Sequence, residues 1–155
     1  MKKEENSDKS SIIYFKKSFE VRWADVDPNM HMRHTAYQEY TDQTRVSLFN
    51  KYGLTFHRFR ELNIGPILFG VDTRFHRELF LNEIMTINVK LLYCTADARK
   101  WGIRHQILKE NGDLATTIAV DGSWIDLKQR RVATPPPEVR EFYMRLEKCE
   151  DFEER

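Results

Sequence analysis

Acid–base side chains crowd one short stretch of the chain. Asp25, Asp27, His31, His34, Tyr37 and Tyr40 all fall between Arg22 and Tyr40. Upstream, Phe19, Val21 and Trp23 alternate with polar or small residues, the period-2 pattern of a half-buried strand. Pro28 cannot donate to a ladder and pushes Asp27 towards an extended or turn conformation, so the strand should end there. Tyr37, Tyr40, Thr44 and Leu48 then recur three or four apart, one face of a helix expected over about Arg33 to Lys51. A carboxylate placed between a strand end and a helix N-terminus can do acyl chemistry. The unpaired amides of the first helical turn can polarise a carbonyl oxygen while the acid attacks it or activates water.

The elements that must hold this stretch follow from the rest of the sequence. With 155 residues, the chain reads as one domain with a real core, residues 1–155, of which about 1–11 are a polar, frayed lead-in. Ile12 to Trp23 is the first strand, Gly53 ends the long helix, and Thr55 to Leu62 is a second short helix. Strands follow over Ile67–Phe75, Met85–Tyr93, Trp101–Ile107 and Leu114–Val120. Asn111-Gly112 is a hairpin signal expected as a type I′ turn, and Gly122 is a candidate bulge before Trp124. Pro135-Pro136-Pro137 closes the sheet, and residues 138–149 read as a C-terminal helix. A strand, a long helix and a run of mostly antiparallel strands make an α+β arrangement in which helix and sheet bury each other's apolar faces.

Hydrophobic residues at 41% and aromatics at 12% are ordinary globular values. Lys plus Arg (25) nearly balance Asp plus Glu (24), so nucleic acid and anionic membranes are unsupported as main partners. Cys94 and Cys149 have no CxxC spacing and read as free thiols of a cytoplasmic protein. No apolar leader and no membrane-length run occur. His31 and His34 have no accompanying carboxylate or cysteine pattern that would make a zinc site, so no metal and no cofactor are expected. His105, on an apolar strand face, reads as a satisfied core histidine, and Asp25 as a solvated strand-end charge. Serine-hydrolase and nucleotide motifs are missing.

Asp25-x-Asp27-Pro28-x-x-His31-x-x-His34-x-x-Tyr37 resembles the active-site signature of the hotdog-fold acyl-CoA thioesterases, the 4-hydroxybenzoyl-CoA thioesterase type. There, a strand leads through D-x-D-x-x-G into a loop, with a Tyr ten residues after the second Asp, as Tyr37 follows Asp27 here. The segment Phe75-His-Arg-Glu-Leu-Phe-Leu-Asn-Glu83 also resembles that family's link into its third strand. The resemblance implies a hotdog fold, a long central helix wrapped by a five-stranded, mainly antiparallel sheet, assembling as a homodimer or homotetramer. It implies hydrolysis of an acyl-CoA, or of the thioester of an acyl carrier protein, with Asp27 as nucleophile or general base. The family's carbonyl-holding amide falls on His34, and His31, Tyr37 and Tyr40 would line the substrate pocket. Spacing alone would leave Asp27 as a strand terminator or helix cap. One departure stands out: Met30 occupies the position of the signature's Gly, which suits positive φ. Two other readings on this fold stay open. A hydratase would need a D-x-N-P-x-H loop, which Asp25-Val-Asp-Pro28 approaches with His31 one residue late. A non-catalytic acyl-CoA or acyl-carrier-binding protein would keep the pocket without the chemistry.

Overall fold

The apolar alternation of residues 64–126 becomes an antiparallel sheet. The computed structural model describes residues 11–155, so the lead-in over residues 1–10 lies outside the described part. Strand β1 (Lys16–Glu20) comes first, followed by a single 3-10 turn at Trp23–Asp25 and helices α1 (Tyr37–Lys51) and α2 (Phe56–Glu61). Then come β2 (Ile64–Phe75), β3 (Ile84–Asn88), β4 (Lys90–Cys94), β5 (Lys100–Lys109), β6 (Leu114–Asp126) and the two-residue β7 (Val132–Ala133). Helix α3 (Pro137–Arg145) and strand β8 (Lys148–Glu154) finish the chain. Across the sheet, β2 pairs β6, β6 pairs β5, and β5 pairs β3 and β4, which lie end to end along it. Strand β1 extends the sheet beyond β3, and β8 runs parallel to β4.

Several boundaries depart from the pattern-based reading, each for a contact made at long range. The Met85–Tyr93 run keeps its buried alternation but breaks at Val89, whose amide turns to Phe15 O (3.2 Å), so the two halves take different outer neighbours. The C-terminal helix ends at Arg145 rather than near Cys149. Leu146 is extended and bridges Ile13, and Glu147 O accepts from Leu91 N, which draws the tail into the sheet. The first strand is shorter than Ile12–Trp23, and Trp23 is exposed. At the Asn111-Gly112 hairpin only Gly112 has positive φ, which gives a type I turn closed by a left-handed glycine instead of type I′. Opposite Gly122, the extra residue sits on the partner strand: the register shifts between Leu68 and Gly70, leaving Phe69 unpaired.

Helix α1 ends as expected. Gly53 (φ 81°) accepts the left-handed position, Leu54 N reaches Phe49 O (2.9 Å) and Gly53 N reaches Asn50 O (3.2 Å), a Schellman cap. The helix lays Leu48 and Phe49 into one core with Ile87, Leu91, Ile103 and Ile118 of the sheet. Burying each such side chain is worth about 1.5–3 kcal/mol. Phe49 meets Phe59, Phe142 and Tyr143, so α1, α2 and α3 are stapled together through one ring. His105 is fully buried there, taking a hydrogen bond at Nε2 from Arg45 Nη1 (2.8 Å) and donating from Nδ1 to Asn88 O (2.8 Å). It is a satisfied core histidine. Among the described residues, no helix is long and apolar enough to cross a membrane.

Candidate active site

The loop between the 3-10 turn and α1 is a miniature hairpin built around Asp27. Asp27 N donates to His31 O (2.8 Å), Met30 N donates to Asp27 O (2.9 Å), and Val26 bridges Met32. The loop is then sewn to the segment before β3, where His31 bridges Phe80 and Met32 N donates to Leu79 O (2.7 Å). Met30 closes this loop at φ 65°, a left-handed conformation that a residue with a Cβ holds at a cost and that glycine adopts freely.

Asp27 is half-buried. Its Oδ1 accepts from the amides of Asn29 (2.9 Å) and His31 (3.2 Å), whereas Oδ2 accepts nothing among the described residues. The carboxylate is thus oriented by one oxygen and free at the other. Asp27, His31, His34 and Tyr37 line a single cleft of about 320 Å³ together with Met32, Phe75, His76, Arg77 and Glu78. Tyr37 is buried, its ring edge-on to Phe75 at 5.1 Å. Burial first, then the negative charges of Asp27, Glu78 and Glu83, raises its hydroxyl above the ordinary value, so it stays protonated as a donor. His31 lies edge-on to Phe80 at 5.1 Å.

The helix begins at Tyr37, four residues later than expected, because Arg33 is tied back to the loop. Its amide donates to Asp25 O (2.8 Å), its Nη1 to Ala24 O, and its Nε to Thr35. His34 therefore sits in the turn just ahead of α1, exposed, with its amide unpaired among the described residues. The N-cap of α1, Ala36, offers no side-chain hydrogen bond, so the first-turn amides keep their partial positive charge beside the cleft.

Tyr40, expected in the same pocket, is elsewhere. One further helical turn carries it to the other side of the loop, where its hydroxyl donates to Asp25 Oδ2 and its ring packs edge-on against Phe19. It lines a separate cleft of about 310 Å³ with Glu20, Arg22, Glu39 and Gln43. Asp25 is likewise not a solvated strand-end charge but 1% exposed. Arg22 grips both of its oxygens (2.8 and 3.2 Å), and Arg33 stands 3.7 Å away. The hydrogen bond from Arg22 is the main reason that its carboxyl is held below the usual range.

His76, Arg77 and Glu78 are the residues that the motif did not reveal. They follow β2 directly, and a charged run at the end of a clean alternation was the available signal. Glu78 is exposed, and its carboxyl is lowered chiefly by a hydrogen bond that it accepts from its own amide, with His31 adding to the effect. Among the described residues, no group of three or more His, Cys, Asp or Glu side chains converges as a metal site would require.

A long helix packed against an antiparallel sheet is the hotdog arrangement, and comparison with known proteins agrees. Residues 21–143 match the model of the thioesterase-like superfamily, and the chain belongs to that family. No curated protein matches it. Among solved structures, it is similar to the hypothetical protein SAV2348 from Staphylococcus aureus, determined in complex with CoA. That pair gives a TM-score of 0.78 at 20% identity, covering 90% of this chain and 89% of that one. A DHNA-CoA thioesterase from Staphylococcus aureus gives 0.76 at 19% identity, covering 86% and 90%. The 1,4-dihydroxy-2-naphthoyl-CoA thioesterase Slr0204 from Synechocystis gives 0.75 at 15% identity, covering 85% and 96%.

Proposed function

We propose that the chain is an acyl-CoA thioesterase that hydrolyses an acyl-CoA to the free acid and CoA, with the Asp-centred chemistry of the 4-hydroxybenzoyl-CoA thioesterase type. The observation that carries this reading is Asp27 itself, oriented through Oδ1 and without a partner at Oδ2 among the described residues, in one cleft with His34, whose amide is likewise unpaired among them. The thioester oxygen sits on that amide and on the N-terminal end of α1, where developing negative charge is stabilised. Oδ2 then follows one of two routes. It adds to the carbonyl carbon, expelling CoA thiolate and leaving a mixed anhydride that water cleaves. Alternatively, it takes a proton from water as the oxygen adds, and the tetrahedral intermediate expels the thiolate. Tyr37 and His31 shape the cleft around the acyl carbon. The neighbours solved with CoA or named as CoA thioesterases support CoA as the carrier.

The active form is a homo-oligomer. Among the described residues, strand β2 is bonded on one edge only, and Leu68, Phe69, Val71 and Phe75 are exposed along it, which a second copy would cover by pairing β2 with β2. Cys94 and Cys149 are free and buried, which suits a reducing compartment such as the cytoplasm.

A thiol-release assay over a panel of acyl-CoAs, with wild type and Asp27→Asn side by side, tests the proposal. Release by the wild type that drops by about a hundredfold or more in the variant is the expected result. Turnover retained in Asp27→Asn would remove Asp27 from the mechanism. Acyl-CoA that raises the melting temperature without any thiol release would mark a binding protein, and loss of crotonyl-CoA absorbance without release would mark a hydratase.

A further inference from the structure

We infer that Lys109, paired with Glu83, is a positioning residue for the carboxylate of Asp27. The pair clamps the link between β2 and β3, and that link sets where the Asp27 loop stands. The inference rests on the thioesterase reading above and adds to it a side chain that lies outside both the cleft lining and the motif.

The link, residues 76–83, belongs to no helix or strand, yet it is the backbone against which the Asp27 loop is laid. Phe80 forms the bridge with His31, and Leu79 O accepts from Met32 N (2.7 Å). His31 is in turn bonded to Asp27 twice. Its amide donates to Asp27 Oδ1 (3.2 Å), one of the two bonds that orient the carboxylate, and its carbonyl accepts from Asp27 N (2.8 Å). A displacement of Phe80 is therefore passed to His31 and from His31 to the carboxylate.

The two ends of the link are tied to neighbouring strands. The amides of His76 and Arg77 both donate to Ala115 O (2.8 and 3.0 Å), while Val21 N donates to Glu83 O and Asn82 N to Val21 O (both 3.0 Å). In the middle, Leu79 is buried in the core, and the backbone groups on either side of it are held by the clamp. Lys109, the last residue of β5, sends Nζ to Glu78 O (2.6 Å) and to Glu83 Oε2 (3.1 Å), with Glu83 Oε1 also at 3.1 Å. Glu83 Oε2 accepts from Phe80 N as well (3.1 Å). The ammonium stands 5.2 Å from the centroid of the Phe80 ring, against which His31 lies edge-on. The side chains of Lys109 and Glu83 are only 14% and 16% exposed, so solvent screens this pair less than a pair at the surface. An ammonium suits the place because a carbonyl and a carboxylate converge on it, and an apolar side chain would leave both without that donor.

The test measures kcat and KM for one hydrolysed acyl-CoA in wild type, Lys109→Met, Glu83→Gln and the double variant, at a temperature where all are folded. Lys90→Met serves as the control, because it breaks a comparable pair with Glu147 (3.1 Å) elsewhere in the sheet. Lys109→Met is expected to lower kcat by about tenfold or more while KM changes by less than about threefold, since a small misplacement of a reacting group is felt in the chemistry. Glu83→Gln keeps an acceptor for Phe80 N and should lose less, and the double variant should be no slower than Lys109→Met. Hydrogen exchange reads the clamp without turnover. In Lys109→Met the amides of His31 and Met32 should gain about tenfold more in exchange rate than those of Ile103 and Ile118. Unchanged kcat in Lys109→Met, or a loss matched by Lys90→Met, would overturn the inference. So would a raised KM at constant kcat, which would make Lys109 a substrate-binding cation, and so would exchange that quickens equally in loop and core. Wild type that releases no thiol would remove the thioesterase reading instead, and the exchange rates would then decide whether Lys109 holds the loop.

Discussion

Asp25 and Asp27 are separated only by Val26, and they are chemically identical, yet the fold treats them in opposite ways. Asp25 is sunk below the surface with both oxygens engaged by Arg22, Tyr40 and Arg33. It ties the start of the loop to α1 through Tyr40 and to the end of the loop through Arg33. Asp27, which lines the cleft, is gripped on one oxygen by two amides of its own loop, and its other oxygen has no partner among the described residues. One charge is used to build the loop, and the other is left available to a substrate. The histidines divide in the same way. His105 has both ring nitrogens satisfied in the core, whereas His31 and His34 stand at the cleft. A polar group whose partners are all internal contributes to stability, and one held by half its valences is available for chemistry.

Exchanging each aspartate for asparagine should split these roles. Asp27→Asn keeps the Oδ1 acceptor and the turn, so turnover should fall by about a hundred- to ten-thousandfold. Its melting temperature should stay close to that of the wild type. Asp25→Asn removes the charge that two arginines and a tyrosine converge on, and should cost about 2–3 kcal/mol, less than for a wholly interior pair because Arg22 can rehydrate. A chain of this length would then melt roughly 5–10 °C lower. Turnover should fall far less than in Asp27→Asn. Denaturation midpoints and kcat measured on both variants check the split; an Asp25→Asn protein as inactive as Asp27→Asn at temperatures where it is folded would break it.

The pH dependence of stability separates the buried groups. Burial, with Arg45 adding to it, pushes His105 down from 6.5 to about 3. The folded ring stays neutral while the unfolded chain takes up a proton, so His105's contribution is complete above pH 6.5 and is lost progressively as pH falls towards 3. The slope should be at most about 1.4 kcal/mol per pH unit. Asp25, also depressed, contributes above the ordinary carboxylate value of 3.8 and loses that contribution only below it. Denaturant midpoints measured across this range should flatten between pH 6.5 and about 4 in His105→Gln and below 3.8 in Asp25→Asn. Flattening in the same window for both variants would show that one of the assignments is mistaken.

Much of this was legible in the sequence because it is local. The period of the Leu114–Val120 strand, the glycine cap at Gly53 and the Asp27-to-Tyr37 spacing are all properties of neighbouring residues, and each appears where the pattern put it. What was hidden depends on partners far along the chain. Nothing near Arg33 reveals that it reaches back to Ala24 and Asp25 and delays the helix. Nothing near Cys149 shows that β4 has a free edge for Lys148–Glu154 to fill. Asp25 and Asp27 look alike until Arg22, Tyr40 and Arg33 are seen to surround only one of them. Tyr40 shares the helix face of Tyr37 on paper, but one turn of helix sends the two rings to different clefts.

Met30 gives the smallest and most specific test of the loop around Asp27. Its side chain is 44% exposed, so little packing is lost by removing it. Its backbone at φ 65° is a conformation that costs a residue with a Cβ about 1–2 kcal/mol and costs glycine almost nothing. Against that gain, glycine widens the unfolded ensemble by about 0.5–1 kcal/mol. Met30→Gly should therefore stabilise the protein by no more than about 1 kcal/mol and leave kcat within a few-fold, because the two amides that orient Asp27 belong to Asn29 and His31. A gain of stability with unchanged turnover would show that the loop's shape, rather than the identity of its left-handed residue, holds the carboxylate. A large loss of stability would show that the Met30 side chain packs against something that the single chain does not contain.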